Sequence, residues 1–382
     1  MHGTIEPTVS VEVRRLDELA AFADELRALA AQALMPNVFY EPAFMAASAP
    51  VFGRDVMAGL VWRRGAPQQL IGFFPVAIER LRYGVPVPVL VGWTHPYGPL
   101  GMPLIDRDCS EAAVAGWLDH VAAAAELPKF LLMPYLPAQG AAAFEAALVH
   151  RNGRSAEFAY QLRAMLRPDN GRAGYLDVAV APRKRKELRR QRKRLAEIGA
   201  VTTETAGAAP QLTAALADFL ALEASGWKGR AGTAARHDDA IRQFVEQAVT
   251  ALAAEGKAGV ARLALDGRAI SAIVTLRSAG GAWCWKIAYD EAFARCSPGV
   301  QLLLDVTQEL LDDPAVVRAD SCATPDHPMI DHVWRERLVL ADWLVSVGPC
   351  SATAFAGVCA LETARRAAID AARSIRNRVR KK

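Results

Sequence analysis

One order of hydrophobic periods is written twice along this chain, and it limits the fold more than composition does. A helix-period segment over 16–34 leads into FYEPAFM, then into strand-like runs over 55–62 and 69–79 divided by the Arg63-Arg64-Gly65 turn. Further on, helical segments over 212–222 and 240–254 precede strand-like runs over 258–265 and 269–277 around Asp266-Gly267, a strong hairpin turn. The parallel continues: strand 85–92 answers 282–289, helix 110–125 answers 299–311, and strand 130–134 answers 316–321. Each half is then expected to close with a helix and a last strand, 159–166 in one and 342–347 in the other. Hairpins followed by helical crossovers predict an α/β (α+β) fold with mixed sheets flanked by helices. At 382 residues two such layers fit. The Pro/Gly/Asn cluster RPDNGRAG marks the boundary, which predicts domains over 1–170 and 171–350 and a basic helical tail over 351–382.

Charge is polarised along the chain. The segment from Arg183 to Arg194 (RKRKELRRQRKR) has nine bases and one acid, and the segment from Arg365 to Lys382 has eight bases and one acid. Set against a net charge of +4, these leave the other 352 residues with eleven more acids than bases. Both basic segments read as helices, the first with Leu188, Leu195 and Ile198 on one stripe. Such a helix is either a solvated face or a contact for an anion: a lipid surface, a cofactor phosphate or, least favoured, nucleic acid.

Several classes are set aside. The apolar runs over 71–78 and 85–92 are too short to span a bilayer. The amino terminus carries acids and a proline where a secretory signal has a basic and then an apolar region, so a cytoplasmic protein is expected, with peripheral attachment to the inner membrane face through the basic segments. Six cysteines without a C-x-x-C pair read as free thiols, and no metal-ligand cluster is apparent.

The segments RKELRRQRKRLAEIG, LEASGWKG, WKIAYDEAFARCSPGVQLLLDVTQ and DSCATPDHPMIDHVW carry a resemblance. They resemble a tandem acyl-CoA N-acyltransferase (GNAT) fold of the kind found in acetyltransferases associated with cellulose or polysaccharide biosynthesis, which are similar in turn to Fem-type aminoacyl transferases. The broad family also includes bacterial enzymes that N-acylate a sphingoid base. The resemblance implies an enzyme that uses acyl-CoA as cosubstrate, without metal, on an amine-bearing small molecule or lipid. It leaves open a Fem-type transferase drawing on aminoacyl-tRNA, and a non-catalytic scaffold in exopolysaccharide synthesis. One departure stands out: in place of the family's Gly-rich pyrophosphate loop the chain has Arg295-Cys296-Ser297-Pro298-Gly299. Here Ser297 can cap, Pro298 suits a first helical turn and Gly299 admits a ligand to backbone N–H groups, so Arg295, Ser297, Gly299 and Val300 are the candidate donor-binding residues. A plain helix cap explains them equally. The corresponding Pro96-Tyr97-Gly98-Pro99-Leu100-Gly101 is too rich in proline to begin a helix, so the first domain is expected to lack a donor site.

Transfer of an acyl group from a thioester to an amine needs a neutral amine, a donor to the oxyanion and a proton for the leaving thiolate. His327 lies between prolines after a strand end and is the first candidate base, and His332 is a second or an acceptor contact. Asp320 ends the buried strand and requires a cationic partner or a ligand amine. Lys286 either faces the cleft, to hold a phosphate or oxyanion, or faces outward as an ordinary strand lysine. Tyr289 is placed to protonate a thiolate or to pack in the core. The resemblance puts Glu223, Trp227 and Lys228 beside the acceptor. Cys322 adds a nucleophile that direct transfer does not need.

Overall fold

A computed structural model describes residues 9–65, 68–149, 151–168 and 171–380, without the side chains of 376–380. The first eight residues, Asp169 and Asn170 of the turn cluster, and the last two lysines of the basic tail lie outside the described residues. In chain order the described elements are β1 (Val9–Arg15), α1 (Ala23–Ala31), α2 (Pro42–Phe52), β2 (Val56–Arg63), β3 (Gln69–Glu79), β4 (Val89–Gly92), β5 (Leu104–Ile105), α3 (Ser110–Ala123), β6 (Phe130–Pro137), α4 (Ala138–Val149) and β7 (Ser155–Leu166). There follow α5 (Tyr175–Ala179), α6 (Pro182–Ile198), β8 (Val201–Ala206), α7 (Gln211–Ser225), α8 (Trp227–Arg230), α9 (Asp239–Ala254), β9 (Ala258–Leu265), β10 (Arg268–Ser278), β11 (Gly281–Tyr289), α10 (Pro298–Asp312), β12 (Arg318–Asp320), β13 (Glu336–Ser346) and α11 (Ala352–Arg380). The α/β character and the mixed sheets flanked by helices are those expected.

Two compact units result, and neither is one continuous stretch. The first comprises Met1–Met35, Asp55–Tyr160 and Leu340–Lys382; the second comprises Pro36–Arg54 and Gln161–Val339. In the first, β1 to β4 form an antiparallel meander, β4 pairs parallel with β6, and β6 pairs antiparallel with Leu340–Ser346 of β13. In the second, β8 to β11 form the same meander, β11 pairs parallel with β12, and β12 pairs antiparallel with Met165 and Leu166 of β7. The closing strands expected within each half are therefore exchanged. No helix precedes the last strand of the second half either, only a 3-10 turn over Ile330–His332. The strand expected over 85–92 starts at Val89, because Pro86 and Pro88 cannot donate to a ladder. The helix expected over 16–34 is a 3-10 segment, Leu16–Phe22, followed by the shorter α1.

In the first unit Phe74 stacks on Trp117 of α3 with ring centroids 5.6 Å apart. Gly59 makes this possible, since a Cβ there would lie 2.2 Å from the indole. The basic carboxy-terminal helix is docked along its first half: Phe355 and Val358 join a cluster with Val89, Leu132 and Leu344. Glu362 is buried between Arg82 at 2.9 Å and Arg366 at 2.6 Å, so part of the tail's positive charge is neutralised internally.

In the second unit α6 starts at Pro182, stops before Gly199, and buries Leu188, Gln191 and Leu195. Ile198 does not join that stripe; it is the last helical residue and is 61% exposed. On the other face Phe44 of α2 and Phe244 of α9 meet Trp285 of β11 edge to face at 5.7 and 6.1 Å. Glu41, buried ahead of α2, accepts from Ser278 Oγ at 2.6 Å and pairs with Lys257 at 2.9 Å. These contacts explain why Pro36–Arg54 belongs to this unit. Trp334 is fully buried against α10 and its Nε1 donates to Thr307 Oγ1 at 3.0 Å, which fixes the segment over 321–335. Replacing Thr307 by valine keeps the shape and strands that N–H; a loss of about 1–3 kcal/mol in denaturant unfolding is expected.

Candidate active site

The site originates in the pairing of β11 and β12. They run parallel only from Gly281–Trp283 against Arg318–Asp320, and then separate. Cys322, at φ 53°, turns the chain away, while β11 continues to Tyr289. The pairing of β10 with β11 advances one residue between Val274/Lys286 and Thr275/Cys284, leaving Trp285 unmatched; such a bulge twists a strand locally and widens the gap. The result is a cavity of about 220 Å³. Its inner wall is apolar, with Ile273, Cys284, Leu303 and Ile330 drawn from the core.

Glu223, Trp227, Lys228, Lys286, Tyr289 and His327 all line this cavity. The Glu223 carboxylate, 1% exposed, accepts from Lys228 at 2.9 Å and from the Ala235 N–H at 2.9 Å, and Lys286 Nζ stands 3.5 Å away. Burial pushes Glu223 up, but Lys286, Lys228 and the Ala235 N–H outweigh it and hold the carboxyl below its ordinary range. Lys286, whose side chain is 14% exposed, faces the cleft rather than solvent. Burial lowers it to about 8, against the pull of Glu223. His327 is lowered by burial, which Asp331 opposes. Its Nδ1 accepts from the Met329 N–H at 3.4 Å, so the neutral ring keeps its proton on Nε2. Among the described residues the Tyr289 hydroxyl and His327 Nε2 have no hydrogen-bond partner. Trp227 is 59% exposed at the mouth, where its backbone N–H and Arg230 both reach Glu291.

The remaining sequence candidates lie off the lining. Asp320 is buried and paired with Arg163 at 3.0 Å, and its other oxygen accepts from the Cys322 N–H at 2.8 Å. It holds the turn that opens the strands. Ser297 is the residue before α10, but its φ of 49° is left-handed and its hydroxyl makes no capping bond, since a capping side chain needs an extended backbone. Gly299 is buried behind the site: a Cβ there would lie 3.3 Å from both Tyr289 and Met329. Arg295 and His332 are exposed, and Val300 is half-buried. Sequence reasoning passed over Ser321, Met329 and Glu291 in the lining, and Arg163 behind it. Arg163 stands 157 residues from the acid it pairs with, and only its place opposite the end of β12 reveals it.

The segment from α6 to β12 matches a known family. Residues 182–320 match the family described as Acetyltransferase (GNAT) domain. This segment is a GNAT acetyltransferase domain. The chain is accordingly an acyltransferase, and the GNAT domain contains the splayed strands and most of the cavity lining. Solved structures share the fold over most of the chain. FemX aligns with a TM-score of 0.55 at 10% identity, covering 85% of this chain and 95% of its own. A protein of unknown function from Bacteroides thetaiotaomicron aligns at 0.53 and 12% identity, covering 88% and 99%. The carboxy-terminal domain of a putative lysylphosphatidylglycerol synthetase from Agrobacterium fabrum aligns at 0.52 and 12% identity, covering 92% and 96%. No curated protein sequence matches the chain. Among the described residues no helix is long and apolar enough to cross a membrane, and no cluster of His, Cys, Asp and Glu is placed to hold a metal ion.

Proposed function

We propose that this protein is an N-acyltransferase that moves an acyl group from acyl-CoA to the amine of a lipid, sphingoid base or envelope precursor, with residues 171–350 as the catalytic region. The observation that carries the reading is the cavity between β11 and β12, in which a lysine lowered to about 8, a free tyrosine hydroxyl and a neutral histidine converge on one apolar-walled space. The amine nitrogen attacks the thioester carbonyl; the C–N bond forms as the C–S bond breaks. Lys286 in its neutral form takes the proton that the amine sheds. His327 Nε2–H donates to the oxyanion, and Tyr289 gives a proton to the departing thiolate, which the solvent restores. Glu223 orients Lys286 and draws the acceptor's ammonium toward the site before it deprotonates. The wall of Ile273, Leu303 and Ile330 suits the alkyl part of the acyl group. The bases on the outer side of α6, Arg183, Lys186, Arg190, Lys193 and Arg194, are exposed and suit an anionic membrane surface where such amines reside.

The reading is tested by incubating the protein with CoA thioesters from acetyl to palmitoyl and following thiol release, with and without amine lipids and amino sugars. Amine-dependent release with one class of chain length is expected. His327→Gln, which keeps a donor of similar reach but not the ring, should retain about a tenth to a hundredth of the rate. Absence of thioester consumption, with transfer from an aminoacyl-tRNA instead, would sink the acyl-CoA donor and favour a Fem-type transferase.

A further inference from the structure

The cavity between β11 and β12 has an open end and a closed one. Trp227 and Glu291 line it at the mouth, where Trp227 is exposed. At the other end stand Ile273, Cys284, Leu303 and Ile330, all four buried members of the core cluster of this unit. A close-packed core has no channel through which a chain could leave, so an alkyl tail that enters has to stop there. The wall toward α10 is sealed as well. Tyr289, Met329 and Ile287 pack over Gly299, where a Cβ would lie 3.3 Å from the first two and 3.5 Å from the third. These lining residues lean on the helix at a position without a side chain, so nothing behind them can swing aside for a larger guest. One turn further along α10, Leu303 brings a full side chain to the inner wall.

A closed end has a capacity. An apolar protein cavity of about 150 Å³ holds benzene, which has six carbons. On that scale the cavity here, of about 220 Å³, holds about nine non-hydrogen atoms. The reacting groups occupy four of those places: the carbonyl carbon and oxygen, the sulfur and the attacking nitrogen. About five alkyl carbons remain, which with the carbonyl carbon makes an acyl group of about six. An acetyl group would leave most of the apolar wall unfilled, and each methylene added up to the limit is buried at a gain of about fourfold in affinity.

We propose that the closed end measures the acyl group and admits chains of up to about six carbons, with Leu303 and Cys284 as the residues that set the limit. The assignment rests on the acyl-transfer reading above and names its donor class: short acyl groups, with an optimum beyond acetyl. Specificity constants for thiol release, taken on the full chain with one amine acceptor and straight-chain CoA thioesters from acetyl to palmitoyl, test it. They are expected to climb about fourfold per carbon from acetyl to hexanoyl. From hexanoyl to decanoyl they should fall by at least about tenfold, the usual worth of a methylene that a pocket cannot take. Leu303→Ala takes three carbons from the wall and should move the limit to about nine; Cys284→Leu adds two atoms and should move it to about four. A second readout needs neither a variant nor a thioester. N-methyl amides of the same acids carry the chain on the bond that transfer would create, and tryptophan emission follows their binding, since Trp227 and Trp285 line the cavity. Their affinity should rise with length as far as the hexanoyl amide and fall beyond it. Decanoyl thioesters used as well as hexanoyl, a maximum at acetyl, or a limit that the folded variants leave in place overturns the measure while acyl transfer stands. If no thioester is consumed but the amides keep the limit and the variants shift it, the coenzyme A donor falls and the measure stands. Amides that bind equally at every length overturn the measure whatever the thioesters do.

Discussion

Replacing Lys286 by methionine is expected to slow amine-dependent thiol release by about 10²–10⁴-fold, the usual worth of a positioned proton acceptor. The methionine keeps an apolar side chain of similar length and removes only the amine, which stands 5.8 Å from the Trp285 ring centroid. Because burial brings Lys286 to about 8, its neutral fraction grows as pH passes through that value, and the wild-type rate should climb across the same interval. An acceptor of the hydroxylamine type, already neutral over this range, keeps its own titration out of the profile. The inflection near 8 should vanish in the variant; if it survives, another group takes the proton. Stability should rise over the same interval. Between about pH 8 and the ordinary lysine value of 10.5 the unfolded chain binds more protons than the folded one, so wild-type stability rises with pH across that window. Below it the folded state carries the cost of a desolvated ammonium. Lys286→Met is therefore expected to gain about 1–3 kcal/mol at pH 7, read from urea midpoints, while losing activity. A variant that is both slower and less stable would mean that the pair with Glu223 outweighs the desolvation of the lysine.

The second large effect lies behind the cavity. Asp320→Ala is expected to cost about 3–5 kcal/mol, because the Arg163 guanidinium stays buried without its carboxylate. It also removes the acceptor for the Cys322 N–H, the bond that fixes where β12 ends. Activity should therefore fall by more than the folded fraction does. The double replacement Asp320→Leu with Arg163→Met removes both charges and should recover most of the stability without the activity. Equal recovery of both would assign the pair to packing alone, with no part in shaping the strand opening.

Several residues of the cavity lining stand out in the sequence, and the reasons differ from residue to residue. Lys286 stands out because one cation in an apolar strand has few explanations, and the structure places it in the cavity lining. His327 stood out because prolines on both sides of a strand-end residue fix its backbone. Glu223, Trp227 and Lys228 came from resemblance, since nothing in their spacing shows that Glu223 meets Lys286, 63 residues away. The fold was legible where pattern and turn agree, as at Asp266-Gly267. It failed at β1 and β8, outer strands whose sequences, VSVEVRR and VTTETA, lack an apolar run, and at Ile198, where periodicity outlasts the surface it packs against. The exchange of closing strands was invisible for another reason. A strand's own residues state which face is apolar, but its partner is decided by which edge is left open elsewhere.

That exchange sets a timetable for synthesis. The free edge of β6 is made by residue 137, yet the segment that pairs with it, Leu340–Ser346, comes more than two hundred residues later. At about 5–20 residues per second a nascent chain carries that unpaired, apolar edge for some tens of seconds before the first unit can close. Arrested or prematurely terminated chains would remain open at β6 indefinitely. Their exposed ladder is a target for chaperone capture and proteolysis, so closure of the first unit acts as a check that translation has passed Ser346.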